Sequence, residues 1–120
     1  MNHAVEYTDE FHEWWDGLTY REQDDITAVV GLLEDLGPGL GYPHSSSIET
    51  SRHGVMRELR VQSGGQPIRV FYAFDPRRSA ILLIGGLKTG NSRFYERFVP
   101  IADSIYDEYL AELKEEGLIK

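Results

Sequence analysis

The apolar positions in the first third of the chain recur at helical spacing. One set of them, which has the i, i+3, i+4, i+7 spacing of an amphipathic helix, consists of Ile26, Val29, Val30, Leu33 and Leu36. Thr19 and Glu22 match a capping box just before this set, and Gly37 is suited to end the helix behind it. The pattern therefore predicts a helix between residues 19 and 37.

A shorter helix is predicted upstream. Phe11, Trp14 and Trp15 share one helical face, Asp9 is suited to cap the start and Gly17 to end the helix. Residues 4–7 form a candidate strand before it. Residues 37–54 are rich in Gly, Pro and Ser and are predicted to be a loop.

The middle of the chain changes to strand patterns. Residues 55–62 and 67–75 flank Ser-Gly-Gly-Gln, a hairpin signal, and Asp-Pro-Arg-Arg at 75–78 predicts a turn. Residues 79–87 are apolar at both odd and even positions, as in a central strand that is buried on both faces. Ser92 is expected to cap a short helix, and Pro100 to lie in the first turn of a separate last helix, whose apolar side holds Ile101, Ile105, Tyr109 and Leu113.

These elements predict one domain over residues 1–120. Their order is β-α-α-β-β-β-α, and we expect the α+β class, an antiparallel sheet with two N-terminal helices and a C-terminal helix packed against it. The chain has no internal repeat that would divide it.

A two-residue Gly64-Gly65 turn would fix the register of the first hairpin. Arg60 would then lie directly opposite Arg69, with Glu58 on the same face. The other face would pair apolar residues and belong to the core, namely Leu59 with Val70 and Val61 with Ile68.

The formal net charge of −8 argues against a nucleic-acid partner. However, nine of the twelve Lys and Arg residues fall within residues 51–97, against three acids there, whereas residues 1–50 hold eleven acids and one base. A localised basic segment predicts an anion-binding surface. The alternative is that acidic helices simply flank a basic sheet.

Two arginines opposite one another destabilise a sheet by roughly 0.2–1 kcal/mol, and so Arg60 and Arg69 make sense if an anion binds between them. The alternative is that Glu58 and Glu96 neutralise both arginines, and a slipped register would remove the argument.

Two further candidates follow the buried strand. Lys88 is delivered into a loop bracketed by glycines, and Tyr95 follows seven residues later, where it can stack on a base or take part in proton transfer. The alternatives are a solvated strand-end lysine and a core tyrosine. His53 is a catalytic candidate or a loop histidine.

Several classes of site are not expected. The chain has no Cys, its four His residues are scattered, and no phosphate-binding glycine motif is present. We therefore predict no metal and no cofactor. No apolar run reaches the roughly 20 residues of a membrane span, and the N-terminus lacks a secretion signal, so we expect a cytoplasmic protein without a membrane partner.

Four segments together resemble the RelE/ParE toxin superfamily, and in particular its HigB-like, phage-derived members. They are Met56-Arg57-Glu58-Leu59-Arg60-Val61, Ile68-Arg69-Val70-Phe71-Tyr72-Ala73-Phe74, Gly85-Gly86-Leu87-Lys88-Thr89-Gly90 and Phe94-Tyr95. The two preceding helices match in order and length, so the resemblance covers essentially the whole chain. It implies the RelE-like microbial-ribonuclease fold.

The resemblance also implies a function. RelE-like and HigB-like toxins cleave mRNA in the ribosomal A site without metal, through attack of the ribose 2′-hydroxyl, which leaves a 2′,3′-cyclic phosphate and a 5′-hydroxyl. By position, Arg60, Arg69 and Lys88 would stabilise the phosphate, Tyr95 would stack on a base or assist proton transfer, and Glu58 is the candidate base. Other arginines of the basic segment are expected to bind RNA, namely Arg57, Arg77, Arg78 and Arg93.

The implied partners are the ribosome, mRNA and a HigA-like helix-turn-helix antitoxin. The toxin itself would not bind DNA and would reach it only as part of the complex with that antitoxin. This chain departs from RelE, which has lysines at the positions of Met56 and Glu58 and an arginine at that of Thr89. Two alternatives therefore stay open, a ParE-like toxin directed at DNA gyrase and a catalytically degenerate protein-binding member.

Overall fold

The computed structural model describes residues 2–120 of the chain. Its helices are α1 (Asp9–Asp16), α2 (Tyr20–Leu36) and α3 (Phe94–Glu115), with a short 3-10 turn at Gly37–Gly39. Its strands are β1 (Val5–Tyr7), β2 (Ser45–Ser47), β3 (Arg57–Ser63), β4 (Gln66–Phe74) and β5 (Ala80–Leu87). The sheet has the order β1-β5-β4-β3-β2. β1 pairs in parallel with β5, and the other pairs are antiparallel.

The predicted hairpin register is confirmed. Gly64 and Gly65 both have positive φ angles, 59° and 79°, which is the requirement of the two-residue turn whose twist matches the strands. Arg60 pairs with Arg69, and Glu58 pairs with Phe71. The turn thus determines which side chains share each face of β3 and β4.

The sheet lies between two helical layers, each covering its own apolar core. The core on the α1 and α2 side includes Ile26 and Leu33 of α2 and the strand residues Leu59, Val61, Ile68 and Val70. The core on the α3 side includes Phe71 and Ala73 of β4 and the helix residues Phe94, Ala102 and Tyr106. The face that carries Glu58 and the two arginines is therefore the α3 side.

The serine run predicted as part of a loop is a short edge strand, β2. Its partner is β3, with Ser45 opposite Leu59 and Ser46 opposite Glu58. The serine hydroxyls are also bound: Ser45 Oγ lies 2.6 Å from the Tyr72 hydroxyl, and Ser46 donates to Glu58. These contacts with distant residues outweigh the weak strand preference of serine.

The prediction of two separate C-terminal helices is wrong, since a single helix contains Pro100. Residues on both sides of the proline, such as Val99 and Ala102, are buried on the same side of the sheet, and this packing holds the helix together across the missing amide. Ser92 does not cap the helix, because the residue before its first turn is Arg93.

Smaller corrections concern caps and helix faces. The hydroxyl of Thr8, not Asp9, accepts from the backbone of Phe11 and caps α1. Leu36 and Ile101, predicted on apolar faces, are about half exposed (53% and 45%). Leu36 is the last residue of α2, whereas Ile101 lies off the buried face of α3, which is formed by Val99, Ala102, Ile105 and Tyr106.

Two glycines near the end of β5 allow both helical layers to approach the sheet closely. A Cβ on Gly85 would overlap the Trp14 ring, and one on Gly86 would lie 2.7 Å from the Phe98 ring. Any larger residue would therefore clash with an aromatic ring that packs on the sheet. Gly86 is opposite Arg69, so this approach brings the start of α3 next to the arginine pair. None of the helices in the described part of the chain is long and apolar enough to cross a membrane.

Candidate active site

One end of the sheet gathers five polar side chains on the α3 side, which we call the cationic cluster: Glu58, Arg60, Arg69, Lys88 and Tyr95. Glu58 and Arg60 are two residues apart on β3, and Arg69 faces Arg60 from β4. Lys88 follows β5, where its amide donates to the Pro67 carbonyl (2.9 Å). Tyr95 is in the first turn of α3.

Glu58 is the centre of the cluster. Its Oε1 accepts a hydrogen bond from the Tyr95 hydroxyl at 2.7 Å and lies 3.6 Å from Arg69 Nε. Its Oε2 accepts from Ser46 Oγ at 2.8 Å and from Arg60 at 3.4 Å. The Glu58 side chain is only 5% exposed. Each carboxylate oxygen therefore holds one hydroxyl and one guanidinium in place.

The two arginines differ in how far they reach solvent. The Arg69 side chain is 8% exposed, and that of Arg60 is 27% exposed. Arg69 donates to the Ile68 carbonyl at 3.1 Å, but its buried Nε has no hydrogen-bond partner among residues 2–120. Three cations around one carboxylate leave the cluster positively charged, with hydrogen-bonding capacity to spare.

Tyr95 joins the carboxylate to the lysine. Burial, and next the hydrogen bond to Glu58, raise the pKa of the Tyr95 phenol above 10, and Arg69 only partly opposes this. Lys88 Nζ lies 5.1 Å from the centre of the Tyr95 ring, within the range of a cation–π contact. The phenol therefore stays protonated at neutral pH and can act as a hydrogen-bond or proton donor.

The structure brings the five predicted catalytic candidates together, but it does not bring all of the predicted RNA-binding arginines to them. Arg57 lies on the other face of β3, where it donates to Ser45 and Ser47. Arg77 and Arg78 lie in the turn after β4, and the part of the strand from Arg69 to its end at Phe74 alone spans about 17 Å. Arg93 is exposed and directly precedes α3.

Arg77 and His53 are held by acidic residues away from the cluster. Arg77 contacts Asp75 at 3.0 Å and Glu6 at 3.1 Å. His53 Nε2 lies 2.7 Å from Asp107 on α3, which fixes the loop before β3 to that helix. This contact supports the loop-histidine alternative.

The expected ion pairs of Glu58 with the two arginines are present, whereas Glu96 forms no ion pair with Arg60 or Arg69.

Two residues next to the arginines were not singled out from the sequence. Ser46 was hidden by the loop prediction for the serine run, although it donates directly to Glu58. Tyr42 lies in the loop before β2, with its ring centre 5.3 Å from the Arg60 guanidinium carbon. The only sequence signal for Tyr42 was an aromatic residue within a polar loop.

The cluster has the chemistry of an anion-binding site with a nearby proton donor. Guanidinium groups bind the oxygens of phosphates or carboxylates in pairs. Among residues 2–120, no three His, Asp or Glu side chains lie close enough together to hold a metal ion. What the described residues offer is fixed positive charge and the Tyr95 hydroxyl.

Sequence comparisons link the chain to one family. The family described as "Phage derived protein Gp49-like" matches residues 13–107. Two proteins of Mycobacterium tuberculosis (strain ATCC 25618 / H37Rv) named as toxins are similar to the chain. HigB3 is 39% identical over 109 residues, 90% of this chain and 94% of HigB3. HigB2 is 36% identical over 104 residues, 85% of this chain and 52% of HigB2. The chain thus spans about half the length of HigB2.

Solved structures share the fold at low sequence identity. The archaeal RelE–RelB complex from Pyrococcus horikoshii OT3 gives a TM-score of 0.55 at 14% identity, covering 75% of this chain and 99% of that one. A mutant of E. coli toxin RelE in the free state gives 0.58 at 9% identity, covering 80% and 94%. The predicted α+β, RelE-like fold is confirmed.

Proposed function

This chain belongs to the Gp49-like family of phage-derived proteins, with the HigB-type toxins of toxin–antitoxin systems, and on that premise we propose that it cleaves messenger RNA on the ribosome. The single observation that carries the proposal is the convergence of Arg60, Arg69 and Lys88 around Tyr95 on one end of the sheet. Such a group of fixed cations and one proton donor fits a phosphodiester that is being broken.

The proposed reaction uses only the chain, the RNA and solvent water. The ribose 2′-oxygen attacks the neighbouring phosphorus, the 2′-proton passes to solvent, and the bond from phosphorus to the 5′-oxygen breaks. Negative charge grows on the phosphoryl oxygens as the new bond forms. Cations that are already in position stabilise that charge more than the ground state, which lowers the barrier.

Tyr95 and Glu58 have different roles in this proposal. Tyr95 donates its proton to the departing 5′-oxygen, giving a 5′-hydroxyl, because its raised pKa keeps the phenol protonated. Glu58, the candidate base from the sequence, is instead a positioning residue. It is buried, each of its oxygens already accepts a hydrogen bond from a hydroxyl, and each lies within ion-pair distance of a guanidinium, so it orients the groups that touch the RNA.

The partners follow from the same premise. We propose that a HigA-like helix-turn-helix antitoxin neutralises the toxin, and that the toxin reaches DNA only through it. The archaeal structure that shares this fold was solved as a complex of RelE with RelB. The ribosome would present the message, and the reaction would take place in the cytoplasm.

The chemistry of the RNA ends tests the proposal. Ribosomes carrying a defined message should yield, with the purified toxin, fragments that end in a 2′,3′-cyclic phosphate and begin with a 5′-hydroxyl. A single 2′-deoxynucleotide at the cleaved position should abolish that cut, and added chelator should not. Cleavage of the deoxy message would exclude the 2′-hydroxyl mechanism. Inhibition of DNA gyrase with intact RNA would favour the ParE-like alternative. A folded protein that does not harm bacteria when it is expressed would favour the catalytically degenerate alternative.

Replacing Tyr95 with phenylalanine should lower the cleavage rate at saturating ribosome by at least about 10²-fold, the lower limit for loss of a general acid. The phenylalanine ring keeps the packing against Lys88 but cannot donate a proton. Because burial and the hydrogen bond to Glu58 raise the pKa of the Tyr95 phenol above its ordinary value, the wild-type rate should show no loss from Tyr95 ionisation near neutral pH. Single-turnover rates measured across pH check both points.

Tyr109→Phe is the matched control, since Tyr109 is also on α3 and its hydroxyl bonds a carboxylate, that of Asp75, at 3.0 Å. It should cleave like the wild type. If Tyr95→Phe is equally active, Tyr95 only packs in the cluster and the proton donor lies elsewhere.

A further inference from the structure

A second groove adjoins the arginine pair, and neither Tyr95 nor Lys88 is among the residues that line it. Its volume is about 380 Å³, in the lower part of the range of small-molecule sites. The walls are formed by side chains of the loop before β2, α2, β3 and β4, namely Val29, Pro43, His44, Gln62 and Pro67. Arg60 and Arg69 also line it, so the groove and the cationic cluster share these two arginines.

Tyr42 contacts two of the residues that line this groove. It directly precedes Pro43, and its ring packs over the Arg60 guanidinium. Nevertheless the residue is 78% exposed, so most of the ring surface is free. The loop that carries it is fixed to the sheet, since the Arg60 amide donates to the His44 carbonyl at 2.9 Å and the Ser45 amide to the Gly41 carbonyl at 3.0 Å. The tyrosine is therefore an exposed aromatic on an anchored loop.

The groove combines three kinds of contact that one nucleotide uses. An exposed aromatic ring offers a surface for base stacking, which does not depend on base identity. Arginines bind phosphate oxygens. The Gln62 amide and the His44 imidazole offer hydrogen bonds to the edge of a base. A lipid or an acidic peptide would use the arginines but not this combination.

We propose that this groove binds the nucleotide on the other side of the scissile phosphate from the one at Tyr95, with its base stacked on Tyr42. The inference rests on the proposed function, because it requires RNA to cross the cationic cluster. The strand then runs from Tyr95, over Lys88 and the two arginines, to Tyr42. Tyr42 acts in binding and alignment, whereas the bond-breaking groups remain those of the cluster.

The test is binding to ribosomes programmed with a 2′-O-methylated message, which cannot be cleaved, so that catalysis does not enter the measurement. Tyr42→Ala should weaken binding about tenfold, as expected when one base–aromatic stack is lost, and Tyr42→Trp should restore it. An abasic nucleotide placed at each A-site position in turn should weaken wild-type binding at one position. At that position Tyr42→Ala should add no further loss.

Tyr7→Ala is the control, since Tyr7 is also largely exposed (61%) but lies on β1 at the opposite edge of the sheet; it should bind like the wild type. Unchanged binding of Tyr42→Ala, additive losses at every abasic position, or no binding by the wild type would each overturn the inference. If the wild type binds the programmed ribosome but does not cut an unmodified message, the proposed function is overturned, whereas the inference that the groove binds a nucleotide is not.

Discussion

Replacement of Arg69 with alanine is expected to lower cleavage of ribosome-bound message by about 10²- to 10³-fold, the usual effect of losing one preorganised donor to a developing negative charge. Arg69 is the least exposed cation of the cluster, and Glu58 and the hairpin register fix its position. Little reorganisation is therefore needed as charge builds on the phosphate. Single-turnover rates at saturating ribosome concentration measure the effect.

Two further variants separate charge from geometry and folding. Arg69→Lys keeps the charge but loses the planar pair of donors, so its rate should lie between those of wild type and Arg69→Ala. Lys114→Gln removes a cation nineteen residues beyond Tyr95 on the same helix, about 28 Å away, and should cleave normally. Equal rates for folded Arg69→Lys, Arg69→Ala and wild type would remove Arg69 from the mechanism.

The hairpin shows what could be predicted from sequence. A Gly-Gly turn permits one favoured register, and side chains alternate across the faces of a strand. Together these place Arg60 opposite Arg69 without any knowledge of the rest of the chain. The same local rules predicted the capping box of α2, which the structure confirms for Thr19 and Glu22.

The depth of the cluster could not be predicted in the same way. Whether Arg69 is buried depends on the approach of α3, and therefore on contacts between Gly86 and the Phe94 and Phe98 rings. The hydroxyl partners of Glu58 come from β2 and α3, twelve and thirty-seven residues away. A local sequence pattern does not indicate contacts between residues that are so far apart in the chain. The helix boundary at Pro100 was predicted wrongly for the same reason, because packing against the sheet outweighs the local helix-breaking effect of the proline.

The net charge of −8 and a phosphate-binding site are compatible in this fold. The acids are concentrated in the segments that form α1, α2 and most of α3, while the cluster lies towards the end of the sheet where β3 and β5 end and β4 begins. Charges more than about 8 Å apart in physiological salt are largely screened from one another. The electrostatic potential at the cluster is therefore determined by its own cations and not by the net charge of the whole chain.

The buried ion pair also allows function to be separated from stability. Glu58→Leu leaves Arg69 buried without its carboxylate and should lower the free energy of unfolding by about 3–5 kcal/mol. Glu58→Leu combined with Arg69→Met replaces both charges by apolar groups, and such replacements are often neutral or stabilising. The double variant should therefore unfold within about 1 kcal/mol of the wild type, yet cleave no better than Arg69→Ala.

Urea unfolding of wild type, both single variants and the double variant measures the coupling, with the exposed pair Arg21 and Asp25 as control. Those two side chains are 74% and 36% exposed and 3.9 Å apart, so replacing them should show a coupling of at most about 0.5 kcal/mol. A stable, inactive double variant would mean that the buried charges are retained for the chemistry of the site. A double variant as unstable as Glu58→Leu would mean that they hold the sheet and α3 together.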